Sequence, residues 1–394
     1  MLDLRGGASD VVALSVAWQA LGFAIAIAYW PGLLSGAFAP RWAVIAVGAP
    51  ALLLLWPPRI PRWVWPPLAG ISAWAAASLL WTPDRAQGVA DLFILAASLM
   101  VFLAAMGLPD LSSPMTGLCL GLLPSSLLCV AQIFGLDWPW QAAVPAGLFL
   151  NREVLAEFAA PLLVWAFLSR RFLLASVPAV PLILCQSRIA ACALALGLIW
   201  PVGGRLRTLL LAGFALSASG ACLILGSDKA ASFAERIRLW DLSIDNLSFR
   251  GQGIGWFMAV HPLQQYAHSD ALQYAVELGL PSALLLVLAI LAYRHGRDEV
   301  ARSVFISLGA EAAVSFPLHL PAGAFVAAVV GGYLARGGGG IFGSRDRSRH
   351  ADGKRLRWSE PLDGRDAGYR RPFAIALPLR DPSAPHSRRA AGLQ

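Results

Sequence analysis

Charged residues are scarce in this chain, and their scarcity excludes most soluble folds. Only 14% of the 394 residues are charged, whereas 57% are hydrophobic, and the mean hydropathy is +0.63. A water-soluble domain covers its surface with roughly a quarter charged residues. The composition therefore predicts an all-α polytopic membrane protein, because a helix satisfies its own backbone hydrogen bonds inside a bilayer.

Motifs for metals and nucleotides are also lacking. The five Cys residues all lie in apolar runs and show no metal-ligand spacing. The sequence contains no Asp-x-Asp motif, no His/Cys cluster and no Gly-Lys loop of the Walker type. These absences predict that the protein uses neither a metal ion nor another cofactor, and they give no indication of ATP use.

The net charge of +8 is concentrated in short loops and in the C-terminal tail. That distribution is typical of membrane topology and gives no reason to expect a nucleic-acid partner. The tail, residues 337–394, is rich in Gly, Pro, Ser and Arg, which predicts a disordered basic segment on the cytoplasmic side. Its cations are expected to contact the headgroups of anionic membrane lipids.

Residues 1–336 contain apolar runs of about the length that a membrane-spanning helix needs. We predict about twelve spans, at Val11–Trp30, Trp42–Trp56, Val64–Trp81, Gly88–Leu108, Met115–Gly135, Val154–Leu168, Phe172–Gln186, Ile189–Val202, Leu206–Gly226, Ala271–Tyr293, Val300–Phe316 and Leu320–Ala335.

Arginines in the loops predict the orientation of these spans. Pairs of arginines recur at every second boundary, except in the loop near residues 109–114, which has no cation. Single arginines lie in the alternate loops. Cationic loops stay in the cytoplasm, so both termini are predicted to be cytoplasmic. The pairs are Arg59 and Arg62, Arg170 and Arg171, Arg205 and Arg207, and Arg294 and Arg297; the single residues are Arg41, Arg85, Arg152 and Arg188.

One long hydrophilic stretch, residues 227–268, is predicted to be a large periplasmic loop between spans nine and ten. Its segment Ala230–Leu247 has apolar residues at helical spacing, which predicts an amphipathic helix on the membrane surface. The glycine-rich turn Gly251-Gln-Gly-Ile-Gly255 follows this helix. The expected apolar stripe consists of Phe233, Ile237, Trp240 and Ile244.

Cations and one imidazole are predicted to gather at the outer ends of three segments. Arg188 precedes span eight, Arg236 and Arg238 lie in the amphipathic helix, and His268 precedes span ten. The guanidinium of one arginine can bind two phosphate oxygens at once, and a histidine can take a proton from an attacking hydroxyl. This set therefore suits a reaction with a pyrophosphate leaving group.

Alternative interpretations of these residues are structural. Arg188 alone could be a side chain that extends to the membrane interface, and Arg236 or Arg238 could contact lipid headgroups. Spacing does not choose between Arg236 and Arg238. Three further residues are candidates: His319, in a proline-bounded turn, is expected to be structural, Glu311 is expected to pair with an arginine or a backbone donor, and His261 is the third. His261 competes with His268.

Between Phe149 and Ala335 the chain resembles the O-antigen ligase and O-antigen polymerase family of bacterial envelope glycosyltransferases. Four strings carry the resemblance: Phe149-Leu-Asn-Arg-Glu-Val-Leu-Ala156, Ser187-Arg188, Gly251-Gln-Gly-Ile-Gly255, and His268-Ser269 followed after nine residues by Gly279 and then by Ser282. Two positions depart from the family pattern. Glu153 stands where the family has a second Asn, and Ser282 stands where it has a Gly.

The resemblance implies a metal-independent, inverting transfer of a glycan from undecaprenyl pyrophosphate at the periplasmic face of the bacterial inner membrane. It implies a lipid A core acceptor for a ligase, or a second lipid-linked glycan for a polymerase. Arg188 and either Arg236 or Arg238 are then expected to hold the pyrophosphate, with His268 as general base or as the group that orients the acceptor. The family strings add Asn151, Arg152, Gly253, Gly255 and Ser269 as expected substrate contacts.

A transporter or a flippase for lipid-linked sugars is the alternative from another class. Such proteins place charges at the middle of the membrane and show paired halves, whereas this chain gathers its polar residues on one face. The sequence therefore favours an enzyme.

Overall fold

The structure is a computed structural model that describes residues 8–31, 33, 36–139, 145–223, 227–261 and 266–337. For residues 214–223 and 227–233 it describes the backbone only. The predicted disordered tail lies outside the described residues from position 338 onward. The same holds for the side chain of Phe233, the first residue of the predicted apolar stripe.

Helices make up most of the described part of the chain, in which no strand occurs, so the all-α prediction is confirmed. The α-helices are α1 (Ala8–Ile27), α2 (Ala39–Leu55), α3 (Trp65–Ser78), α4 (Arg85–Ala105), α5 (Ser112–Ile133), α6 (Arg152–Leu168), α7 (Phe172–Cys185), α8 (Arg188–Ile199), α9 (Gly204–Leu223), α10 (Ser227–Asp245), α11 (Trp256–Val260), α12 (Asp270–Leu278), α13 (Ala283–His295), α14 (Glu299–Val314) and α15 (Pro321–Ala335). Short 3-10 turns lie at Arg62–Val64, Gly147–Phe149, Leu280–Ser282 and Pro317–His319.

Three of the described helices, α1, α4 and α5, are long and apolar enough to cross a membrane. Five further apolar segments are shorter, among them α2, α7, α8 and α15. Large apolar side chains such as Leu54 and Leu173 point away from the protein, where a soluble fold would place polar ones. These helices indicate a membrane protein, while the count of twelve spans stays a prediction.

The helices α6 and α15 are the most enclosed elements. Most side chains of α6 are buried, because α7, α8 and α14 pack around it. Along α15 almost every residue is buried, including Phe325 and Val329. Buried helices of this kind hold their ends in fixed positions, so residues at the start of α6 are well placed to form a site.

The predicted tenth span is not one continuous helix. It breaks at Gly279, which has φ +67° and ψ −152°, between α12 and α13. A Cβ at this position would lie 2.3 Å from the carbonyl oxygen of Phe249, so only glycine fits the close contact. The predicted span at 271–293 is therefore divided into two helices, because this contact with a distant loop is invisible to local hydropathy.

The predicted amphipathic helix is present as α10, but its buried face is not the predicted stripe. Leu239 and Ser243 are fully buried, whereas Ile237 and Ile244 are exposed. Arg236, Leu239 and Ser243 are three and four residues apart, so they share one side of the helix. The side of α10 that packs on the protein therefore presents Arg236 to its neighbours.

Candidate functional site

Three helix ends are tied together at Ser315, the residue that follows α14. Its carbonyl oxygen accepts a hydrogen bond of 3.0 Å from the N–H of Asp270, the first residue of α12. Its hydroxyl donates to the carboxylate of Glu157 on α6, at 2.8 and 2.9 Å from the two oxygens. The start of α6, the start of α12 and the end of α14 thus form one end of the bundle, which we call the site end.

Arg236 reaches the site end from α10. Its Nη1 donates to the carbonyl oxygen of Val314 at 2.7 Å, and its Nη2 lies 3.4 Å from Oε2 of Glu153. The side chain of Arg236 is only 14% exposed, so it belongs to the protein interior more than to the surface. A guanidinium has five N–H donors, and these two contacts leave three of them without a partner among the described residues.

Arg238 takes a different position on the same helix. Its side chain is 64% exposed and pairs with Glu235, three residues earlier, at 2.7 Å. An exposed pair of this kind contributes little to stability or to ligand geometry. Of the two arginines that spacing left open, the structure brings Arg236 to the site end and leaves Arg238 on the outer surface of α10.

His268 lies just before α12, next to Phe316 at 5.1 Å between ring centres. Its Nδ1 is buried and has no hydrogen-bond partner in the described part of the chain. Burial lowers the pKa of His268 to about 4, with a further lowering by the positive charge of Arg236 and an opposing effect of Glu235. The imidazole is therefore neutral at pH 7 and able to accept a proton.

The backbone of His268 is strained. Its φ is +53°, in the left-handed region that residues other than glycine rarely adopt. Such a conformation costs about 1–3 kcal/mol and tends to persist where function requires it. This backbone conformation places the imidazole beside the ring of Phe316.

Arg188 begins α8, and helix geometry places it near the site end. Gly197 on α8 packs between Val164 of α6 and Ser303 of α14. Arg188 lies nine residues earlier, or about 14 Å along the helix axis. Cys185, three residues before Arg188, donates from its thiol to the carbonyl oxygen of Pro145 at 3.3 Å, so the start of α8 lies beside the segment that leads into α6. Arg188 itself is exposed, and in the described ranges it makes no hydrogen bond or ion pair.

Three of the expected substrate contacts lie at helix starts, where two of them act as caps. The Asn151 side-chain oxygen accepts hydrogen bonds from the N–H groups of Glu153 at 2.8 Å and Val154 at 3.3 Å. Ser269 caps α12 through a bond from Leu272 at 3.4 Å. Capping gives both residues a structural reason to be present. Arg152 is exposed at the first position of α6, and contact of these three residues with substrate stays a prediction.

The glycine-rich turn is buried against the connection between α3 and α4. Gly253 has φ +100°, and a Cβ on it would lie 2.6 Å from the Cα of Thr82. Gly255 has φ +81°, and its Cβ would lie 2.7 Å from the backbone nitrogen of Gly88. Tight packing therefore explains these glycines, and the structure supplies no exposed backbone there for a ligand.

Glu157 is the main residue of the site end that the sequence reasoning missed. It is buried, has both carboxylate oxygens within hydrogen-bond distance of the Ser315 hydroxyl, and lies four residues after Glu153 on the same side of α6. An isolated carboxylate inside an apolar run is a signal for function in a membrane protein, and Glu157 follows that pattern.

The predictions for His319 and Glu311 have different outcomes. His319 is buried and hydrogen-bonded to the carboxylate of Asp270, and its ring stacks on Tyr274, as expected of a structural histidine. Glu311 was expected to pair with an arginine or a backbone donor, and that prediction was wrong. Both of its carboxylate oxygens are buried without a hydrogen-bond partner among the described residues, since α14 turns them toward α6 and Glu157 rather than toward Arg236.

Neither a metal-binding group among the described residues nor a similarity to a known protein assigns a role to the site end. Within the described residues, no group of three or more His, Cys, Asp or Glu side chains is arranged to hold a metal ion. Independence from a metal stays a prediction of the sequence. No model of a known protein family matches the chain, and no curated protein matches it either.

Proposed function

We propose that this protein is a membrane glycosyltransferase of the O-antigen ligase type. It transfers a glycan from undecaprenyl pyrophosphate to a lipid A core acceptor at the periplasmic face of the bacterial inner membrane. The observation that carries the proposal is the meeting of Arg236 and His268 at one end of the bundle, where one offers unused N–H donors and the other a neutral imidazole.

Arg236 suits a diphosphate because its guanidinium is held but not saturated. The backbone carbonyl of Val314 fixes its direction, and its remaining donors match the spacing of phosphate oxygens. Arg188, exposed at the start of α8, supplies a second guanidinium that no described residue neutralises. Two arginines, one from α8 and one from α10, balance most of the negative charge of a diphosphate ester.

His268 suits the proton transfer that the reaction needs. The acceptor hydroxyl forms a bond from its oxygen to the anomeric carbon of the donor sugar, on the face opposite the diphosphate. The bond between that carbon and the phosphate oxygen breaks, and the diphosphate leaves with the electron pair. The hydroxyl proton passes to His268 and then to solvent. A bound diphosphate offsets the charge of Arg236, which raises the pKa of His268 and makes it a better base.

The acceptor distinguishes the proposed ligase from the alternative functions. If a second lipid-linked glycan takes the place of the lipid A core, the same chemistry makes the protein a polymerase. If no glycosidic bond forms, the protein is a transporter or a flippase. These outcomes can be separated with the same purified protein.

The test is a transfer assay with the full-length protein in lipid nanodiscs. A glycan on a polyprenyl diphosphate is supplied with lipid A core, or with a second lipid-linked glycan, and the products are identified by mass spectrometry. We expect transfer to lipid A core by the wild-type protein and by R238A, and loss of transfer with R236A and H268N. If neither acceptor is extended, or if R236A is as active as the wild type, the proposal is wrong.

A further inference from the structure

The guanidinium of Arg236 has one partner that cannot leave and one that can. The carbonyl oxygen of Val314 belongs to the backbone of α14 and accepts a short bond of 2.7 Å. The carboxylate of Glu153 lies farther away, at 3.4 Å, and its side chain is 51% exposed. A long, half-exposed ion pair is weak, so little free energy is needed to separate it.

We propose that Glu153 is a displaceable counter-ion of Arg236, which occupies the anion site when the site is empty and competes with the lipid diphosphate for it. This inference rests on the proposed function, because it takes Arg236 to be a diphosphate ligand. It adds a residue that sets how tightly the donor and the leaving diphosphate are held.

Glu157 shows why Glu153 is the residue able to move. Both carboxylates lie on the same side of α6, one helical turn apart. Glu157 is 3% exposed and holds the hydroxyl of Ser315 with both oxygens, so its position is fixed. Glu153 makes no contact of that kind and reaches solvent.

A displaced Glu153 also keeps part of its stabilisation. It lies in the first turn of α6, a helix of 17 residues, where the positive end of the helix dipole favours a carboxylate. The carboxylate can therefore turn from Arg236 toward solvent without becoming an isolated buried charge. The family pattern has an uncharged Asn at this position, so the competition is a property of this chain's own sequence.

The bound ligand gains negative charge during the reaction, so competition between Glu153 and the diphosphate for Arg236 affects the release of the product. When the sugar–phosphate bond breaks, the leaving diphosphate carries one more negative charge than the donor ester. Arginines therefore hold the product more tightly than the substrate. A carboxylate that returns to Arg236 weakens the hold on the product and speeds its release.

Binding of farnesyl diphosphate, a short lipid diphosphate, to the full-length protein in nanodiscs tests the inference. We expect E153Q to bind this probe roughly two- to five-fold more tightly than the wild type, as the loss of one exposed ion-pair partner predicts. Steady-state transfer by E153Q is expected to be slower than its single turnover, because product release becomes limiting.

The matched control is E299Q. Glu299 is also acidic in the first turn of a helix, is 61% exposed and pairs with Arg302 at 3.1 Å, but it lies at the opposite end of α14 from Ser315. The E299Q substitution should leave the binding of farnesyl diphosphate unchanged. If R236A loses the probe while E153Q binds equally or more weakly, the counter-ion role is wrong and the proposed function survives. If R236A binds as the wild type does, the proposed function fails instead.

Discussion

Two arginines near the start of α6 have opposite surroundings. Arg41 is fully buried, stacks on the ring of Phe149 at 3.9 Å, and gives its N–H groups to backbone carbonyls only. Arg236 is partly open and has one carbonyl and one removable carboxylate as partners. The carbonyls around Arg41 belong to Ile25, Ala26, Ala37 and Leu148.

The difference separates a structural cation from one prepared for a ligand. Arg41 satisfies carbonyls at the end of α1 that the helix itself leaves unpaired, and it joins them to the turn before α6. Its contacts come from fixed backbone and leave no place for an anion. Arg236 keeps unused donors beside a neutral histidine, which is the arrangement that an incoming anion can complete.

The largest expected effect on transfer comes from replacing His268, whose pKa the charge of Arg236 lowers. H268N removes the imidazole, and Asn tolerates the left-handed backbone at φ +53°. We expect transfer to fall by about 10²–10⁴-fold, the usual contribution of a general base. The temperature of unfolding in detergent should stay within a few degrees of the wild type. A variant that keeps a tenth or more of the activity would remove His268 from the reaction.

The next prediction tests the comparison directly by truncating each arginine. R41A leaves several buried carbonyls without donors, so its free energy of unfolding should fall by on the order of 3 kcal/mol. R236A should lose diphosphate binding and lose less stability than R41A, because Arg236 gives one backbone hydrogen bond and one long ion pair where Arg41 gives four backbone hydrogen bonds. Thermal unfolding and probe binding, measured on both variants, check this. Equal loss of stability in the two would erase the distinction.

The effect of pH measures how closely Arg236 and His268 interact. Because the pKa of His268 is lowered to about 4, the free enzyme should keep its neutral base from pH 7 down to near that value and lose it below. R236Q removes a positive charge and should raise the pKa toward the ordinary value of 6.5, while E235Q should lower it further. NMR titration of the histidine ring signals reports the shift. An unchanged pKa in R236Q would assign the lowering to burial alone.

The smallest expected effect concerns Arg238. Its side chain is exposed and paired with Glu235, away from the site end. R238A should therefore change transfer and probe binding by less than about two-fold. The same assays used for R236A provide the comparison. A loss as large as that of R236A would mean that α10 turns its other side toward the ligand.

The sequence alone predicted the helical class and most helix positions, because most of the helices coincide with a local run of apolar residues. It failed where a distant contact decides. Gly279 ends α12 because the loop at Phe249 approaches it. Among the described residues Glu311 has no hydrogen-bond partner, because its neighbour across the bundle is another carboxylate, Glu157. Neither contact leaves a trace in the surrounding residues.

Local patterns also could not choose between Arg236 and Arg238. Both lie on one helix, and their roles diverge only because Arg236 meets Val314 and Glu153, which are 78 and 83 positions away in the chain. The sequence by itself determined that the chain is helical and apolar, and that its few charges lie near the ends of apolar runs. The tertiary structure decided which of those charges are saturated and which remain open, because only packing brings acceptors from separate helices to the same guanidinium.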